Sequence, residues 1–310
     1  MNANGTTAAQ FQQETLPGFN FQRSMLNSPI FTSAFGGNGQ LSSGVGVNAS
    51  VGYGNYNAGF VSLKVNNWRG VTLQQNFTYS KALGTGAFVQ ATSEYTPNDA
   101  FDLHNMYGLQ NFDRKFVYNI YALYEPPFYK GQQGLLGHVL GGWSFSPVFA
   151  AGSGAPLYCN TNTDAQSFGS GDGSNFFNNE QCIFTKTYTG GNSIHNTNGA
   201  LNIFADPAAV FASTRNPILG LDTGTGGVGK IRGLMYWNMD MRVTKNVKIV
   251  ERVSAEFQFT VSNVFNHPVF YDPGCPSFCG LDPTSSGSWG VIDTQGNNPR
   301  AMQFGFRINF

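Results

Sequence analysis

Charge is what this sequence has least of. Its 310 residues include 17 Lys+Arg and 17 Asp+Glu, 11% of the chain, against about 25% in an average soluble domain. The two signs cancel to zero net charge. That removes the electrostatic argument for a nucleic-acid partner or an anionic surface. No nucleic acid is expected. Long hydrophobic runs are missing too. A membrane helix needs about 18 apolar residues in a row. The best stretches, around Gly134–Trp143 and Val148–Ala151, are broken by Gly, His and Ser. The N-terminus, Met1-Asn2-Ala3-Asn4-Gly5-Thr6-Thr7, lacks the basic and apolar regions of a signal peptide.

Cysteine is scarce. The four fall into two local pairs, Cys159/Cys182 and Cys275/Cys279, each in a Gly/Asn/Ser/Pro-rich stretch. Neither pair has C-x-x-C spacing, and His195 and His267 complete no zinc ligand set. Loop disulfides in an oxidising compartment are expected, with the two sequence-local pairings preferred and free thiols as the alternative. Catalytic signatures are equally thin. His104, His138, His195 and His267 share no motif, and no Gly-x-Ser-x-Gly or His-Glu-x-x-His occurs. Asp99, Asp102 and Asp113 match no calcium loop and are expected to be solvated. Gly224-Thr225-Gly226-Gly227-Val228-Gly229-Lys230 looks like a phosphate loop, but Ile231 stands where the magnesium-binding hydroxyl belongs. A strand, not a helix, is expected after it, so the helix N-terminus that cradles phosphate is missing. No enzyme activity, cofactor or metal is expected.

Aromatics and glycine are abundant: 15% Phe, Trp and Tyr, and 39 Gly. Asn, Gln, Ser and Thr hold the mean hydropathy at −0.21 despite the low charge. The apolar residues alternate. Met302, Phe304, Phe306, Ile308 and Phe310 interleave with Gln303, Gly305, Arg307 and Asn309, a pattern that chance would give in about 1 window in 700 and that reads as a strand. The same period runs through Val253–Ser262, Trp237–Thr244, Phe116–Tyr124 and Trp143–Phe149. It also runs through Val61/Leu63/Val65 and Val71/Leu73/Phe77/Tyr79, separated by Asn67-Trp68-Arg69-Gly70. Seven long strands are predicted.

Their connections alternate in length. Those at 67–69, 127–140 and 249–251 are short or moderate, whereas 82–114, 155–234 and 266–300 are long and rich in Gly, Asn, Ser, Thr and Pro. Short turns at one end and long loops at the other describe an all-β, antiparallel up-and-down transmembrane β-barrel segment, with periplasmic turns and extracellular loops. Strands of about 9–11 residues cross a bilayer. Apolar side chains would face lipid and polar ones a wet lumen. A soluble β-sandwich also alternates, but loops of this length argue against it. Residues 1–55 read as an irregular lead-in and 56–310 as barrel. Trp143 and Trp237, at strand ends, are candidates for the interfacial aromatic girdles.

Several segments resemble the barrel of Oar-like TonB-dependent receptors of Gram-negative outer membranes. They are Asn76-Phe77-Thr78-Tyr79-Ser80-Lys81-Ala82-Leu83, Asn111-Phe112-Asp113-Arg114-Lys115-Phe116-Val117-Tyr118, Leu123-Tyr124-Glu125-Pro126-Pro127-Phe128 and Gly141-Gly142-Trp143-Ser144-Phe145-Ser146. Arg232-Gly233, Asn238-Met239-Asp240-Met241, Val261-Ser262-Asn263-Val264-Phe265-Asn266-His267-Pro268 and the terminal strand continue the match. The resemblance implies energised uptake of a small-molecule, carbohydrate or peptide substrate through a 22-stranded barrel with a plug. It implies outer-membrane lipid as surroundings, and an assembly signal at Phe304, Phe306 and Phe310 read by the barrel assembly machinery. It also implies contact with TonB through an N-terminal region. No plug or contact box is recognisable here, so the chain is expected to be the C-terminal part of a longer receptor. A non-transporting surface protein, an adhesin or glycan-binding barrel, is the alternative.

One expectation is quantitative. Strands 236–248 and 251–264 should form a hairpin turning near Val250, with odd positions paired to odd. Val247 would then lie beside Val253, Thr244 beside Glu256 and Arg242 beside Gln258.

Overall fold

The computed structural model describes residues 52–85, 104, 107–159, 182–187, 193–197, 199–215, 229–250, 252–274, 280–281 and 285–310. Seven long strands carry the fold: β1 (Gly54–Trp68), β2 (Val71–Gly84), β3 (Phe116–Tyr124), β4 (Trp143–Gly152), β5 (Tyr236–Val250), β6 (Val253–Ser262) and β7 (Ala301–Asn309). Each pairs antiparallel with its sequence neighbour, so the sheet order is β1 to β7 without a crossover; Gly108–Leu109 adds a short segment beside β2. This is the expected all-β meander. Among the described residues β1 pairs only with β2, and β7 only with β6, so the sheet is open at both edges.

Register decides which side chains share a face, because one residue of slip would invert a strand. Val61 sits beside Phe77, Phe77 beside Tyr118 and Ile120 beside Phe149. Phe149 sits beside Met239, Val243 beside Phe259 and Phe259 beside Phe304. In all six pairings, apolar positions meet apolar positions. One face is therefore dominated by Val, Leu, Ile, Met, Phe, Trp and Tyr, with Gln75 and Lys245 set among them. The other carries Asn76, Asn119, Ser146, Asp240, Arg242, Glu256, Gln258, Gln303 and Arg307. Phe257 and Phe306 lie 4.9 Å apart and Phe259 and Phe304 4.7 Å apart; cross-strand pairs of this kind contribute about 0.2–1 kcal/mol each.

The β5–β6 hairpin keeps the expected odd-to-odd parity, but its partners sit two residues further along. Val247 pairs with Ala255, Thr244 with Gln258 and Arg242 with Thr260. The turn falls between Val250 and Val253, and an irregularity between Lys248 and Val250 takes up Ile249. The β1–β2 turn is tighter. Arg69 and Gly70 have φ of 51° and 84°, the left-handed pair that a two-residue hairpin requires. Gly70 is also obligatory for space, since a Cβ there would strike the Glu125 carbonyl. A short helix, α1 (Gly134–Leu140), interrupts the β3–β4 connection. Nothing in the alternation predicts it.

The chain's buried core lies outside the sheet. Leu157, Cys159, Cys182, Ile203, Phe204, Val210, Ile231, Leu281, Trp289 and Ile292 pack together. All belong to the β4–β5 and β6–β7 connections. These two loops, at the end of the sheet opposite the short turns, fold into one module.

Candidate functional site: the loop module and the sheet rim

The module is built from short pieces that none of the loops could stabilise alone. Pro156–Cys159 pairs with Ile231–Arg232 on one side and with Gly280–Leu281 on the other, which joins the two loops through backbone hydrogen bonds. A second small sheet joins His195–Thr197, Ala200–Asn202 and Val291–Ile292. Helix α2 (Pro207–Ala212) starts on Asp206, whose Oδ1 accepts from the Ala209 N–H at 3.0 Å. Trp289, 1% exposed, is the largest fully buried side chain among the described residues. Phe204 stacks on it at 6.5 Å and Phe211 meets it edge-on at 5.4 Å. Buried Asn202 is satisfied: its Nδ2 donates to the Trp289 carbonyl at 2.8 Å, and its Oδ1 accepts from the Phe204 N–H at 2.8 Å. Cys159 and Cys182 form a disulfide with Cα atoms 5.4 Å apart. Cys275 and Cys279 lie outside the described residues.

Below the module, a polar seam fastens it to the sheet. Asp113, 1% exposed, pairs with Arg232. Its Oδ1 accepts from the Ala82 N–H at 2.5 Å. Arg232 also donates to the Gly154 carbonyl at 3.2 Å. Ser153 accepts from the Lys115 N–H at 2.7 Å, and Arg114 donates to the Ser153 carbonyl at 3.3 Å. Asp272 accepts from the Leu234 N–H at 2.8 Å, and a Cβ on Gly233 would collide with its carboxylate. Burial pushes the Asp272 carboxyl up, while the Leu234 N–H and the Arg114 charge pull it partly back. The expectation of a solvated Asp113 is therefore wrong. Its partner lies 119 residues away, where no local pattern could reveal it. Asp99 and Asp102 lie outside the described residues.

The run Val261–Pro268 forms a corner that turns β6 into its loop. Asn263 and Asn266 take left-handed φ of 53° and 51°. Asn263 donates through Nδ2 to the carbonyls of His267 and Asn298 at 3.0 and 3.2 Å, and its N–H donates to Asp240 at 2.8 Å. Trp237 lies flat on the His267 ring at 3.9 Å. Short polar Asn tolerates the left-handed region and satisfies the local backbone. These motif residues are thus fasteners of the rim.

Trp143 and Trp237 stand on the apolar face at opposite ends of the sheet. Trp237 pairs with Ala151, eight residues along β4 from Trp143, which is about 26 Å along the strands at about 3.3 Å per residue. Phe304 and Phe306 point from the same face of edge strand β7 and are 79% and 60% exposed; Phe310 follows the strand's end. Gly229-Lys230 leads straight into Ile231–Arg232, a strand, so no helix offers its N-terminus to a phosphate. Among the described residues no group of three His, Cys, Asp or Glu could hold a metal ion.

Residues 4–303 match the family model described as an outer membrane beta barrel domain. The chain belongs to that family. No curated protein and no solved structure matches it. Membership places the protein in the outer membrane of a Gram-negative bacterium. The apolar sheet face is then the lipid face and the polar face the lumen wall. The module rises over the extracellular rim, and α1 and the short turns lie at the periplasmic rim. A ~25 Å apolar band and the ~26 Å strand separation of Trp143 and Trp237, shortened somewhat by strand tilt, are of one size.

Proposed function

We propose that this chain forms part of the barrel of an Oar-like TonB-dependent receptor that takes up a small-molecule, carbohydrate or peptide substrate without catalysing a reaction. The observation that carries the reading is that, among the described residues, the sheet is open at both edges. Unpaired strand edges are not tolerated in lipid, and seven strands suit a sector of a wide barrel better than a closed narrow one. The resemblance to such receptors adds a second support, because residues of its separate motifs meet at one seam, Asp113 with Arg232. In this reading the loop module covers the lumen mouth. Tyr53, His104 and Tyr107, stacked at the outer end of β1 beside Asn55, would be among the groups that meet substrate. The rigid module also favours a second reading, a surface protein that binds ligand without transporting it.

A ligand screen with the native outer-membrane protein, followed by uptake in cells lacking the TonB motor, tests the proposal. Uptake should stop while surface binding persists. Uptake that continues without the motor contradicts it, and binding with no uptake in either strain favours the surface protein.

A further inference from the structure

Helix α1 presents Leu135, Leu136, Val139 and Leu140 to the outside; Leu135 is 83% exposed. These four positions share one side of the helix. The helix is not a loose excursion. Gln132 Nε2 donates to the Asn246 carbonyl at 2.8 Å, and its Oε1 accepts from the Lys248 N–H at 2.9 Å. The Gly141 N–H closes the helix on Gly137 at 2.9 Å, and the Asn246 N–H donates to Gly142 at 2.8 Å.

The side on which α1 sits is fixed by two residues of the lipid face. Lys245 Nζ donates to the carbonyls of His138 and Val139 at 2.5 and 3.1 Å and also to Gly141. Trp143 Nε1 donates to Val139 at 2.9 Å, and Lys245 lies 5.0 Å over the Trp143 ring. Both side chains occupy apolar-face positions, paired with each other at the end of the sheet. They hold the helix against the periplasmic end of the lipid face. Exposed Phe128 and Tyr129 precede it, and Lys130 is the nearest charged residue along the chain. No carboxylate occurs between Glu125 and Asp164.

We propose that α1 is an interfacial anchor, lying in the periplasmic leaflet with its four aliphatic side chains at the boundary between phospholipid headgroups and acyl chains. The apolar surface adjoins the lipid face, and the chain segment that bears it carries Lys130 and no carboxylate. Such a segment partitions to a bilayer surface by burying apolar side chains while Lys stays at headgroup depth. The inference rests on the assignment of the apolar face to lipid.

The test is tryptophan fluorescence of the native protein in phosphatidylethanolamine/phosphatidylglycerol vesicles that contain brominated lipid. Leu135→Trp and Leu136→Trp report on the helix, Met241→Trp on the middle of the lipid face, four residues along β5 from both Trp237 and Lys245, and the unsubstituted protein supplies the background. Both helix variants should show quenching above background, at least twofold stronger with bromine near the headgroup end of the acyl chain than deep in it. Met241→Trp should show the reverse depth preference. Quenched Met241→Trp with unquenched, red-emitting helix variants puts α1 in water and overturns the anchor alone. Unquenched but blue-shifted emission that strengthens with protein density means that a second copy covers the helix, which also overturns it. Failure of Met241→Trp to quench overturns the lipid-face assignment and the anchor with it.

Discussion

The sheet and the loop module solve opposite problems with the same chain. Along the sheet, the apolar side chains point out of the protein: Val61, Phe304 and Phe306 are exposed, and few strand residues are buried. In the module, Trp289, Leu157, Ile203 and Ile231 are almost fully enclosed. The sheet leaves its solvation to lipid on one face and to lumen water on the other. The module lies beyond the membrane and must bury its own apolar groups, with a disulfide limiting the freedom of its unfolded state. Alternation therefore governs the first region and long-range packing the second. Damage should be confined to the region it strikes.

The largest local effect is expected at Trp289. Trp289→Ala should cost the module about 3–5 kcal/mol and expose its loops to protease, while the heat-modifiable gel band of the folded sheet persists. Common loss of both would mean that the module and sheet fold as one unit. On the sheet, Phe306→Arg should cost about 2–4 kcal/mol if it lies near mid-bilayer, whereas Gln303→Arg, facing the lumen, should be mild. Folded fractions by gel mobility check this. Reducing Cys159–Cys182 should destabilise the module by about 2–4 kcal/mol, read as faster loop proteolysis with unchanged sheet mobility.

The smallest effect concerns pH. A carboxyl raised in the folded state binds its proton more tightly there than in the unfolded chain, so its contribution favours folding at low pH. That contribution fades as pH rises from the ordinary aspartate range of about 4 through the raised Asp272 value. Amide exchange at Leu234 should thus lose protection over that window in the native protein. In Asp272→Asn that increment should vanish. An unchanged profile in the variant would assign the dependence to other groups.

The two regions also differ in how legible they were. Strict alternation gave all seven strands and their faces, because in a membrane sheet the side-chain period is the environment's period. The hairpin partners slipped by two residues because parity survives such a shift and the turn position does not follow from alternation. Helix α1 was read as a broken apolar run, since Gly134, Gly137 and His138 interrupt it and its hold on Lys245 and Asn246 is tertiary. The module core was invisible. Leu157, Ile203 and Trp289 sit in apolar stretches too short to show a period within Gly- and Asn-rich loops, and only the fold brings them together. Asp113 and Arg232 illustrate the same limit within quoted motifs.

The most direct test of the central claim is a residue-by-residue accessibility scan of β6, Val253–Ser262, in bilayers. Spin labels attached through non-cysteine chemistry leave the native cysteines untouched. Collision with oxygen reports lipid, and collision with a water-soluble nickel chelate reports the lumen. Odd positions from Ala255 to Val261 should favour oxygen and even positions from Ser254 to Thr260 the chelate, with a period of two across the strand. Equal accessibility of the two sets, or the opposite phase, would contradict the lipid-face assignment.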